Sequence, residues 1–436
     1  MKQKILNSFK KILPESVFLF LRPGYHKSLA FLSALYYRFP SRHIKVIAVT
    51  GTKGKSSTVE FINGILETAG YRTAVIGTIR FKVGEESKPN LFKMTMPGRG
   101  FIQKTLREAV NQKCDFAVLE ATSEGAKQFR NRFIETDTVV ITNIAPEHIE
   151  SHGSYENYLA AKIDIARGLE RTKNKKTTIV VNSDDKENNK FLVVEAEEKI
   201  KYSFSELKEY KESSEGLSFQ YKNKKITSSL RGRFNAYNML AAAKATEAHN
   251  ISIKEIAKGL SSVKILPGRA LMIDEGQDFE VVVDYAHTPG SLEAIYETFT
   301  SGHSICVLGN AGGGRDRWKR PLMAQIAEEF CQEVILTDED PYDEDPESIL
   351  EEMRVGMKKK KPEIILDRRE AIRVALKKAE QKLKEKQSDS SNKNPTCVNV
   401  LITGKGTDPY IMRSNGQKEP WSDEEVTRDE LRKLKK

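Results

Sequence analysis

A segment rich in glycine, lysine and hydroxyl residues has the composition of a phosphate-binding loop. It reads Thr50-Gly51-Thr52-Lys53-Gly54-Lys55-Ser56-Ser57, directly after the β-branched stretch Ile44–Val49 and before a helical pattern. Glycines at such a position let backbone N–H groups approach phosphate oxygens, and the helix N-terminus favours negative charge. Lys55 would reach the terminal phosphates, and the Ser56 hydroxyl would bind Mg²⁺. Although Val49 replaces the first glycine of the strict pattern, the segment predicts a site for a nucleotide and Mg²⁺.

The elements around this loop alternate between short apolar strands and helical segments. This alternation is typical of a parallel, doubly wound sheet and predicts an α/β protein. The predicted strands are Ile44–Val49, Phe116–Leu119, Thr138–Thr142, Thr178–Asn182, Glu280–Asp284, Ser304–Leu308, Glu333–Thr337, Glu363–Leu366 and Val398–Thr403. Between Lys201 and Arg231 the pattern predicts a small antiparallel sheet, and a helix is expected over Tyr237–His249.

The pattern predicts a domain boundary near 266, where a second α/β series begins. We expect three domains: a short helical N-terminal extension at 1–43 and, as the family resemblance described below implies, a P-loop ATP-binding central domain at 44–266 and a Rossmann-like C-terminal domain at 267–436. The polar stretch Lys384–Pro395 predicts a mobile surface loop.

Composition and charge exclude several classes of protein. The chain is 39% hydrophobic and 30% charged, with a net charge of +10. Part of the excess lies in the lysine runs Lys358–Lys361 and Lys433–Lys436, which are typical of solvated faces or tails. No nucleic-acid-binding motif accompanies them, so no nucleic-acid partner is expected. Four scattered cysteines without C-x-x-C spacing predict a reducing compartment, with neither a disulfide nor a zinc site.

The N-terminal region does not have the pattern of a signal peptide or a membrane span. Its apolar stretch, Val17–Tyr37, is interrupted by Arg22, Pro23, His26 and Lys27. Two short basic helices are expected here, packed on the protein or resting weakly on a membrane surface. We therefore expect a cytoplasmic protein.

Six blocks of residues, in order, resemble the Mur ligases. They are Gly51–Ser57, Leu119–Ser123, Thr142-Asn143 with Glu147-His148, Arg233–Asn238, Gly268-Arg269 and Asp284–Pro289. The last block, which reads D-Y-A-H-T-P, and the later Lys319-Arg320-Pro321 are similar to the UDP-N-acetylmuramoyl-tripeptide synthetase branch of the family. The resemblance runs from Ile44 to the C-terminus. It implies an ATP-dependent ligase with a parallel-sheet central domain and a Rossmann-like C-terminal domain.

The resemblance also implies roles for individual residues. The implied catalytic residues are Lys55, Glu120, His148 and Lys162. The implied metal ligands are Ser56, Glu120, His148 and, if its amine is carbamylated, Lys162. The implied ATP contacts are Gly51, Thr52, Lys53, Gly54, Lys55, Ser56, Ser57, Asn143, Asn235, Asn238, Arg269, Asp284 and Lys319. The implied substrate contacts are Thr95, Ser123, Gln128, Arg130, Asp340, Tyr342, Gly404 and Asp408. Without the surrounding motifs, Glu120 would be an ordinary strand-end acid and Lys162 a solvated helix lysine.

The reaction implied for such an enzyme has two steps. A substrate carboxylate attacks the γ-phosphate of ATP, and the resulting acyl phosphate is then attacked by an amine. The expected partners are a muramoyl-peptide precursor and an amino acid, in peptidoglycan synthesis and cell-wall biogenesis. A monomer is expected.

Three departures from the family's pattern leave alternatives open. About 43 residues precede the ATP domain, so a shortened N-terminal region is expected where the synthetases carry a uridine-binding domain. The histidine of the family's E-V-S-S-H segment is Glu124, and the threonine-rich loop reads Thr95-Met96-Pro97. The D-N-P-R clamp for diaminopimelate reads Glu339-Asp340-Pro341-Tyr342, so its arginine is absent. Acids at 340, 343 and 408 suit an amino acid with a cationic side chain, or they are exposed loop acids.

Other activities compete with this interpretation. One is a related ligase that acts on a lipid-linked precursor with a nitrogen-supplying partner. Another resembles folylpolyglutamate synthase, whose D-G-A-H-N-P block reads Asp284–Pro289 here as D-Y-A-H-T-P. A non-enzymatic nucleotide-binding module is disfavoured because Lys55, Glu120 and His148 are all present.

Overall fold

The computed structural model describes residues 15–300, 302–388 and 397–435. The chain divides into two compact units: the first comprises Met1–Ile144, Tyr158–Ser203 and Leu240–Ile256, and the second comprises Ala145–Asn157, Phe204–Met239 and Ala257–Lys436. These units alternate along the sequence, whereas we expected consecutive domains at 1–43, 44–266 and 267–436. The predicted division into three domains stays a prediction.

The secondary structure alternates between helices and strands over most of the described chain. The α-helices are α1 Glu15–Tyr36, α2 Lys55–Thr68, α3 Arg99–Asn111, α4 Ser123–Lys127, α5 Ile149–His152, α6 Tyr155–Ala166, α7 Asn188–Leu192, α8 Arg233–Glu247, α9 Ile253–Ser262, α10 Pro289–Phe299, α11 Lys319–Phe330, α12 Pro346–Arg354, α13 Arg368–Ser388 and α14 Asp423–Leu434. The strands are β1 Lys45–Thr50, β2 Thr73–Ile76, β3 Arg80–Val83, β4 Glu86–Pro89, β5 Phe116–Glu120, β6 Thr138–Ile141, β7 Thr178–Asn182, β8 Glu198–Tyr202, β9 Lys208–Ser213, β10 Gly216–Tyr221, β11 Lys224–Ser228, β12 Leu271–Met272, β13 Glu280–Asp284, β14 His303–Leu308, β15 Glu333–Leu336, β16 Glu363–Ile364, β17 Val398–Thr403, β18 Tyr410–Met412 and β19 Lys418–Pro420.

The sheet of the first unit has eight strands in the order β4-β3-β2-β5-β1-β6-β7-β8. Its central strands are parallel and rich in β-branched residues, and they are buried on both faces, as a sheet covered by helices requires. β1 lies between β5 and β6, with Val49 opposite Glu120 and Thr50 opposite Ile141. The carboxyl ends of these three strands therefore share one edge, where ligands of open α/β sheets bind.

The second unit contains a six-stranded sheet in the order β12-β13-β17-β14-β15-β16. The strands from β13 to β16 in this order all pair in parallel, while the edge strand β12 is antiparallel to β13. One face packs on α10 and α11 through residues such as Leu292 and Met323. The other packs on α13 and α14 through Ile372 and Leu431. Strands β9, β10 and β11 form a separate antiparallel sheet.

The observed elements confirm the predicted α/β class and the antiparallel sheet between Lys201 and Arg231. Two local expectations were wrong. α8 begins at Arg233 rather than Tyr237. α13 continues to Ser388, into the stretch expected as a loop from Lys384, and the rest of that stretch, 389–396, lies outside the described residues. Of the two helices expected in the N-terminal region, α1 is described and contains Pro23, while residues 1–14 lie outside the described residues. No helix in the described ranges is long and apolar enough to cross a membrane.

The expectation that all cysteines are free was also wrong. Cys306 on β14 and Cys331, which follows α11, form a disulfide in the second unit. Their Cα atoms are 6.1 Å apart, within the range that a disulfide can bridge. Cys114 and Cys397 are free. Sequence spacing could not indicate this pair, because the parallel sheet brings together two segments that are 25 residues apart.

Candidate active site

The phosphate-binding loop connects β1 to α2 in the first unit. Gly51 and Gly54 have φ angles of 146° and 78°, which favour glycine. A Cβ atom on Gly51 would lie 1.9 Å from Thr142 Oγ1, so the close approach of the loop to the end of β6 also requires glycine. The Lys53 N–H donates to Asn143 Oδ1 at 3.0 Å, and Asn143 Nδ2 donates to Lys53 O at 3.0 Å. The structure thus places the predicted Asn143 against the loop.

Two lysine amines converge on the carbonyl side of this loop. Lys55 Nζ donates to Gly51 O at 3.0 Å and to Thr52 O at 2.8 Å. Lys162, which is 2% exposed, donates to Gly51 O at 2.5 Å. On the same helix α6, the Tyr158 hydroxyl bonds the Thr52 hydroxyl at 2.7 Å. Lys162 is therefore a buried side chain of the loop region and not the solvated lysine that its sequence context alone suggests.

The Glu120 carboxylate lies at the end of β5, beside the first turn of α2. It is 2% exposed and accepts hydrogen bonds from Ser56 Oγ at 3.1 and 3.0 Å and from the Thr78 N–H at 2.8 Å. A hydroxyl and a carboxylate beside a phosphate-binding loop are oxygen donors of the type that Mg²⁺ prefers. In the described ranges no group of three or more His, Cys, Asp or Glu side chains could hold a metal. The donors nevertheless fit Mg²⁺, which commonly takes one or two protein carboxylates and completes its shell with phosphate and water.

The predicted substrate residues of the first unit also lie together. The Thr95 hydroxyl is hydrogen-bonded to the Thr78 hydroxyl at 2.7 Å. Thr95 therefore contacts the same residue whose N–H donates to the Glu120 carboxylate. Arg130 Nη2 donates to Gln128 Oε1 at 2.6 Å, and its Nη1 donates to the carbonyl of Met96, next to Thr95. Ser123 begins α4 and is buried. A continuous set of polar contacts thus extends from Ser56 to Arg130.

The remaining predicted nucleotide residues belong to the second unit. Asn235 and Asn238 are buried on α8, where Asn235 Nδ2 donates to Arg231 O at 2.8 Å. Asp284 ends β13 and accepts from the N–H groups of Ala270 and Ala286, each at 2.6 Å. Burial raises the pKa of Asp284, and the charge of Arg269 opposes that shift.

Cationic and acidic groups also cluster around the predicted Lys319 in the second unit. Lys319 Nζ donates to His287 O at 2.9 Å, and His287 Nε2 lies 3.4 Å from Glu147 Oε1. Burial lowers the pKa of Lys319, while the charges of Glu147 and Glu339 raise it. His148 adjoins this group, 3.8 Å from the same Glu147 oxygen. The predicted metal ligands Ser56, Glu120 and Lys162 therefore belong to the first unit, and His148 belongs to the second.

The predicted acceptor residues surround a buried lysine. Lys405, which is 0% exposed, donates to Asp340 Oδ1 at 2.9 Å and lies 3.5 Å from Asp408 Oδ2. Asp340 and Asp408 are buried, so they are not exposed loop acids, and part of their charge is already balanced by Lys405. Tyr342, with a φ of 54°, lies against Gly313, where a Cβ atom would be 2.7 Å from the tyrosine ring.

Several residues of this site were missed by the sequence interpretation. Lys405 is present in the G-K-G-T-D block, but its spacing gave no sign of an internal ion pair. Glu339 is buried, and its Oε2 has no hydrogen-bond partner in the described part of the chain. Burial raises the pKa of Glu339, as does the neighbouring charge of Asp340. Arg99, in the first unit, donates to Gln128 O at 2.8 Å. Glu339 and Lys405 adjoin predicted residues, which is the signal that could have identified them.

Comparison with protein families gives two matches along the chain. Residues 49–246 match the Mur ligase middle domain, and residues 268–384 match the glutamate ligase domain of Mur ligases. Curated relatives include the UDP-N-acetylmuramoyl-L-alanyl-D-glutamate–2,6-diaminopimelate ligase of Bacillus cereus, 33% identical over 88% of this chain and 77% of the relative. The ligase of the same name from Syntrophomonas wolfei is 35% identical over 89% of this chain and 79% of the relative.

Solved structures give a consistent comparison. The structure of a UDP-N-acetylmuramoyl-L-alanyl-D-glutamate–2,6-diaminopimelate ligase matches with a TM-score of 0.58 and 29% identity, covering 90% of this chain and 79% of that one. A Mycobacterium tuberculosis folylpolyglutamate synthase complexed with ADP matches with a TM-score of 0.69 but only 18% identity, covering 93% of each chain. The second likeness is one of fold alone.

Proposed function

The chain belongs to the Mur ligase family and is an ATP-dependent, ADP-forming ligase, and we propose that it adds an amino acid to a UDP-N-acetylmuramoyl-peptide in peptidoglycan synthesis. The observation that carries the proposal is the hydrogen bond between Ser56 and Glu120 beside Lys55. These residues, which we expect to bind Mg²⁺ and the phosphates of ATP, are connected through Thr78 to the predicted substrate residue Thr95. The curated relatives are named for joining diaminopimelate to UDP-N-acetylmuramoyl-L-alanyl-D-glutamate.

The first chemical step is the activation of a carboxylate. Its oxygen attacks the γ-phosphorus of ATP, the bond to the β-phosphate breaks, and an acyl phosphate and ADP form. The loop N–H groups and Lys55 stabilise charge on the transferred phosphoryl group. Ser56 and Glu120 would hold Mg²⁺, which supplies further charge stabilisation when bound. Thr78, Thr95, Gln128 and Arg130 would orient the acid substrate near this position.

The second step is attack by an amine on the acyl carbon, with release of phosphate. No residue of the chain need form a covalent bond to the substrate. We assign Asp340, Tyr342, Gly404 and Asp408 to the acceptor amino acid. Since Tyr342 replaces the arginine that clamps the distal carboxylate of diaminopimelate, and since Asp340 and Asp408 are buried there, an amino acid with a cationic side chain is favoured. The cations Lys405 and Arg315 balance part of this negative charge.

Lys162 is proposed to act after carbamylation. As an amine it donates to Gly51 O at 2.5 Å. A carbamate oxygen is an acceptor and would be repelled by that carbonyl, so the modified group would turn away from it and become an anionic oxygen ligand. The proposal predicts a carbamate signal at Lys162 in the carbon NMR spectrum after exposure to labelled CO₂, and its absence in Lys162→Arg.

The experiment that tests the function is direct product detection. The protein is incubated with ATP, Mg²⁺, UDP-N-acetylmuramoyl-L-alanyl-D-glutamate and each of a panel of amino acids, including lysine and diaminopimelate, and mass spectrometry reads the product. We expect one amino acid to add its mass with loss of water. Turnover only with a lipid-linked or folate substrate would overturn the assignment.

We also propose a cytoplasmic monomer, which fractionation and light scattering would test.

A further inference from the structure

Two arginines of the first unit lie side by side without a carboxylate partner. Arg99 is the first residue of α3, and Arg130 follows α4. Gln128 connects them, because its carbonyl oxygen accepts from Arg99 Nη2 at 2.8 Å and its Oε1 accepts from Arg130 Nη2 at 2.6 Å. Within the described residues neither guanidinium forms an ion pair, which is unusual for half-buried arginines.

The other contacts of the two arginines are with an imidazole ring, a thioether and a backbone carbonyl. Arg99 Nη2 donates to His26 Nδ1 at 3.0 Å, and Arg130 Nη1 donates to Met94 Sδ at 2.6 Å and to the Met96 carbonyl. The Nε atom of Arg99 is buried and has no hydrogen-bond acceptor among the described residues. Donors therefore exceed acceptors in this cluster, and a buried donor without an acceptor is costly.

Electrostatics shows the same imbalance. Burial lowers the pKa of Arg99 and of Arg130, and the charge of Arg99 lowers the pKa of Arg130 further, while the charge of Glu124 opposes that shift. In the same unit Arg80 is also partly buried, but it pairs with Glu60 at 2.6 Å, and its pKa is raised. The charge of Glu124 offsets only part of this cost at Arg130. Two adjacent, partly buried cations that form no ion pair therefore favour an anion from outside the chain.

The position of the cluster connects it to the reacting centre. Arg130 contacts the carbonyl of Met96, the neighbouring Thr95 bonds Thr78, and the Thr78 N–H bonds Glu120. A substrate with its reacting carboxylate near Glu120 would therefore extend toward Arg130 and then Arg99. His26 of α1 contacts Arg99, the residue of this series that is furthest from Glu120.

We propose that Arg99, with His26 from α1, extends the substrate site at Gln128 and Arg130 into a binding site for a second, non-reacting anionic group of the acid substrate. This inference rests on the proposed function. Two planar guanidinium groups suit bidentate recognition of a carboxylate or a phosphate. A UDP-N-acetylmuramoyl-peptide that ends in glutamate carries both, because one glutamate carboxylate stays unactivated and the nucleotide contains a diphosphate.

Steady-state kinetics of Arg99→Gln test the proposal. The loss of one charge-assisted contact should raise the KM for the acid substrate by roughly 10- to 100-fold, with kcat within about threefold of the unmodified enzyme. The matched control is Lys104→Gln, which removes one positive charge from the exposed side of the same helix. Arg99→Lys should restore part of the affinity. An unchanged KM in Arg99→Gln, or an equal increase in Lys104→Gln, would overturn the proposal.

A second substrate separates the two sources of the anion. N-acetylmuramoyl-L-alanyl-D-glutamate lacks the uridine diphosphate but keeps the free carboxylate. If Arg99→Gln weakens binding of both substrates, the site holds the carboxylate. If it weakens only the nucleotide-linked substrate, the site holds the diphosphate.

A measurement without turnover keeps this inference separate from the proposed function. With ADP and Mg²⁺ saturating the phosphate loop, inorganic pyrophosphate and glutarate are titrated while the unfolding temperature is recorded. At least one should stabilise the unmodified protein and Lys104→Gln, but not Arg99→Gln. Equal stabilisation of all three proteins would contradict the anion site, whatever the enzyme's substrate is. Stabilisation without any turnover of muramoyl-peptides would preserve the site and refute the proposed function.

Discussion

Gly51→Ala tests the close packing of the phosphate-binding loop. The new Cβ atom would lie 1.9 Å from Thr142 Oγ1 and 3.0 Å from Asn143 O. Thr142 cannot move away freely, because its hydroxyl donates to Lys53 O at 2.6 Å. The substitution should therefore disturb both ends of the loop, and we expect it to lower stability and nucleotide affinity together.

The size of the effect follows from three contributions. Overpacking in a close-packed site costs about 1–3 kcal/mol. Loss of the Thr142 hydrogen bond costs about 1 kcal/mol. A non-glycine residue at this φ adds about 1–3 kcal/mol. We expect a total loss of roughly 3–7 kcal/mol in the free energy of unfolding, or a distorted loop with at least a tenfold weaker affinity for ADP.

Urea unfolding and isothermal titration with ADP and Mg²⁺ measure the two effects. The control is Gly70→Ala, because Gly70 also has a positive φ, of 86°, but its added Cβ would meet no atom within 4 Å. That variant should lose only about 1 kcal/mol and bind ADP normally. Equal effects of the two substitutions would refute the reasoning that the contact with Thr142 adds to the cost of backbone conformation at Gly51.

Three further predictions concern stability and specificity. His249 is buried and bonds Thr138, and burial lowers the pKa of its imidazole to about 4 from an ordinary 6.5. Between these two pH values the unfolded chain binds a proton that the folded chain does not, so the free energy of unfolding should keep its full value above about pH 6.5 and fall by up to about 3 kcal/mol as the pH drops toward 4. Urea titrations should show no such loss from this position in His249→Phe. Cys306→Ala should lower the free energy of unfolding by about 2–4 kcal/mol relative to the oxidised protein. In the unmodified protein, a thiol count under denaturing conditions should find Cys306 and Cys331 unreactive until reductant is added. Tyr342→Arg should raise kcat/KM for diaminopimelate by about tenfold, through a restored contact with its distal carboxylate; an unchanged preference among amino acids would place acceptor selection elsewhere.

The proximity of the residues predicted to bind nucleotide in the first unit follows from local motifs together with parallel-sheet geometry, while their binding of nucleotide stays a prediction. Strand ends and the glycine-rich loop are recognisable in sequence, and parallel strands bring their carboxyl ends to one edge. Ser56, Glu120 and Asn143 accordingly lie where their motifs predict. Lys162 was singled out only through the family resemblance, because a single lysine on a helix has no local signature, and its burial was not predicted.

Contacts between distant segments were the least predictable features. The disulfide joins residues of two different elements, and Lys405 pairs with an acid 65 residues away. Arg99 was missed because an arginine at the start of a helix is ordinary unless its neighbours are known. The end of α13 was misplaced because lysine, glutamate and glutamine favour helix as readily as exposed loop.

Transfer of a heavy oxygen isotope from the substrate carboxylate to phosphate tests the central claim most directly. The acid substrate is labelled at the carboxylate that joins the amine and is incubated with ATP, Mg²⁺ and the accepted amino acid. An acyl phosphate requires that the released phosphate carry one labelled oxygen per amide formed, and Lys55→Ala should yield neither product. Amide formation with unlabelled phosphate would contradict the mechanism, because the carboxylate oxygen would then not have been phosphorylated.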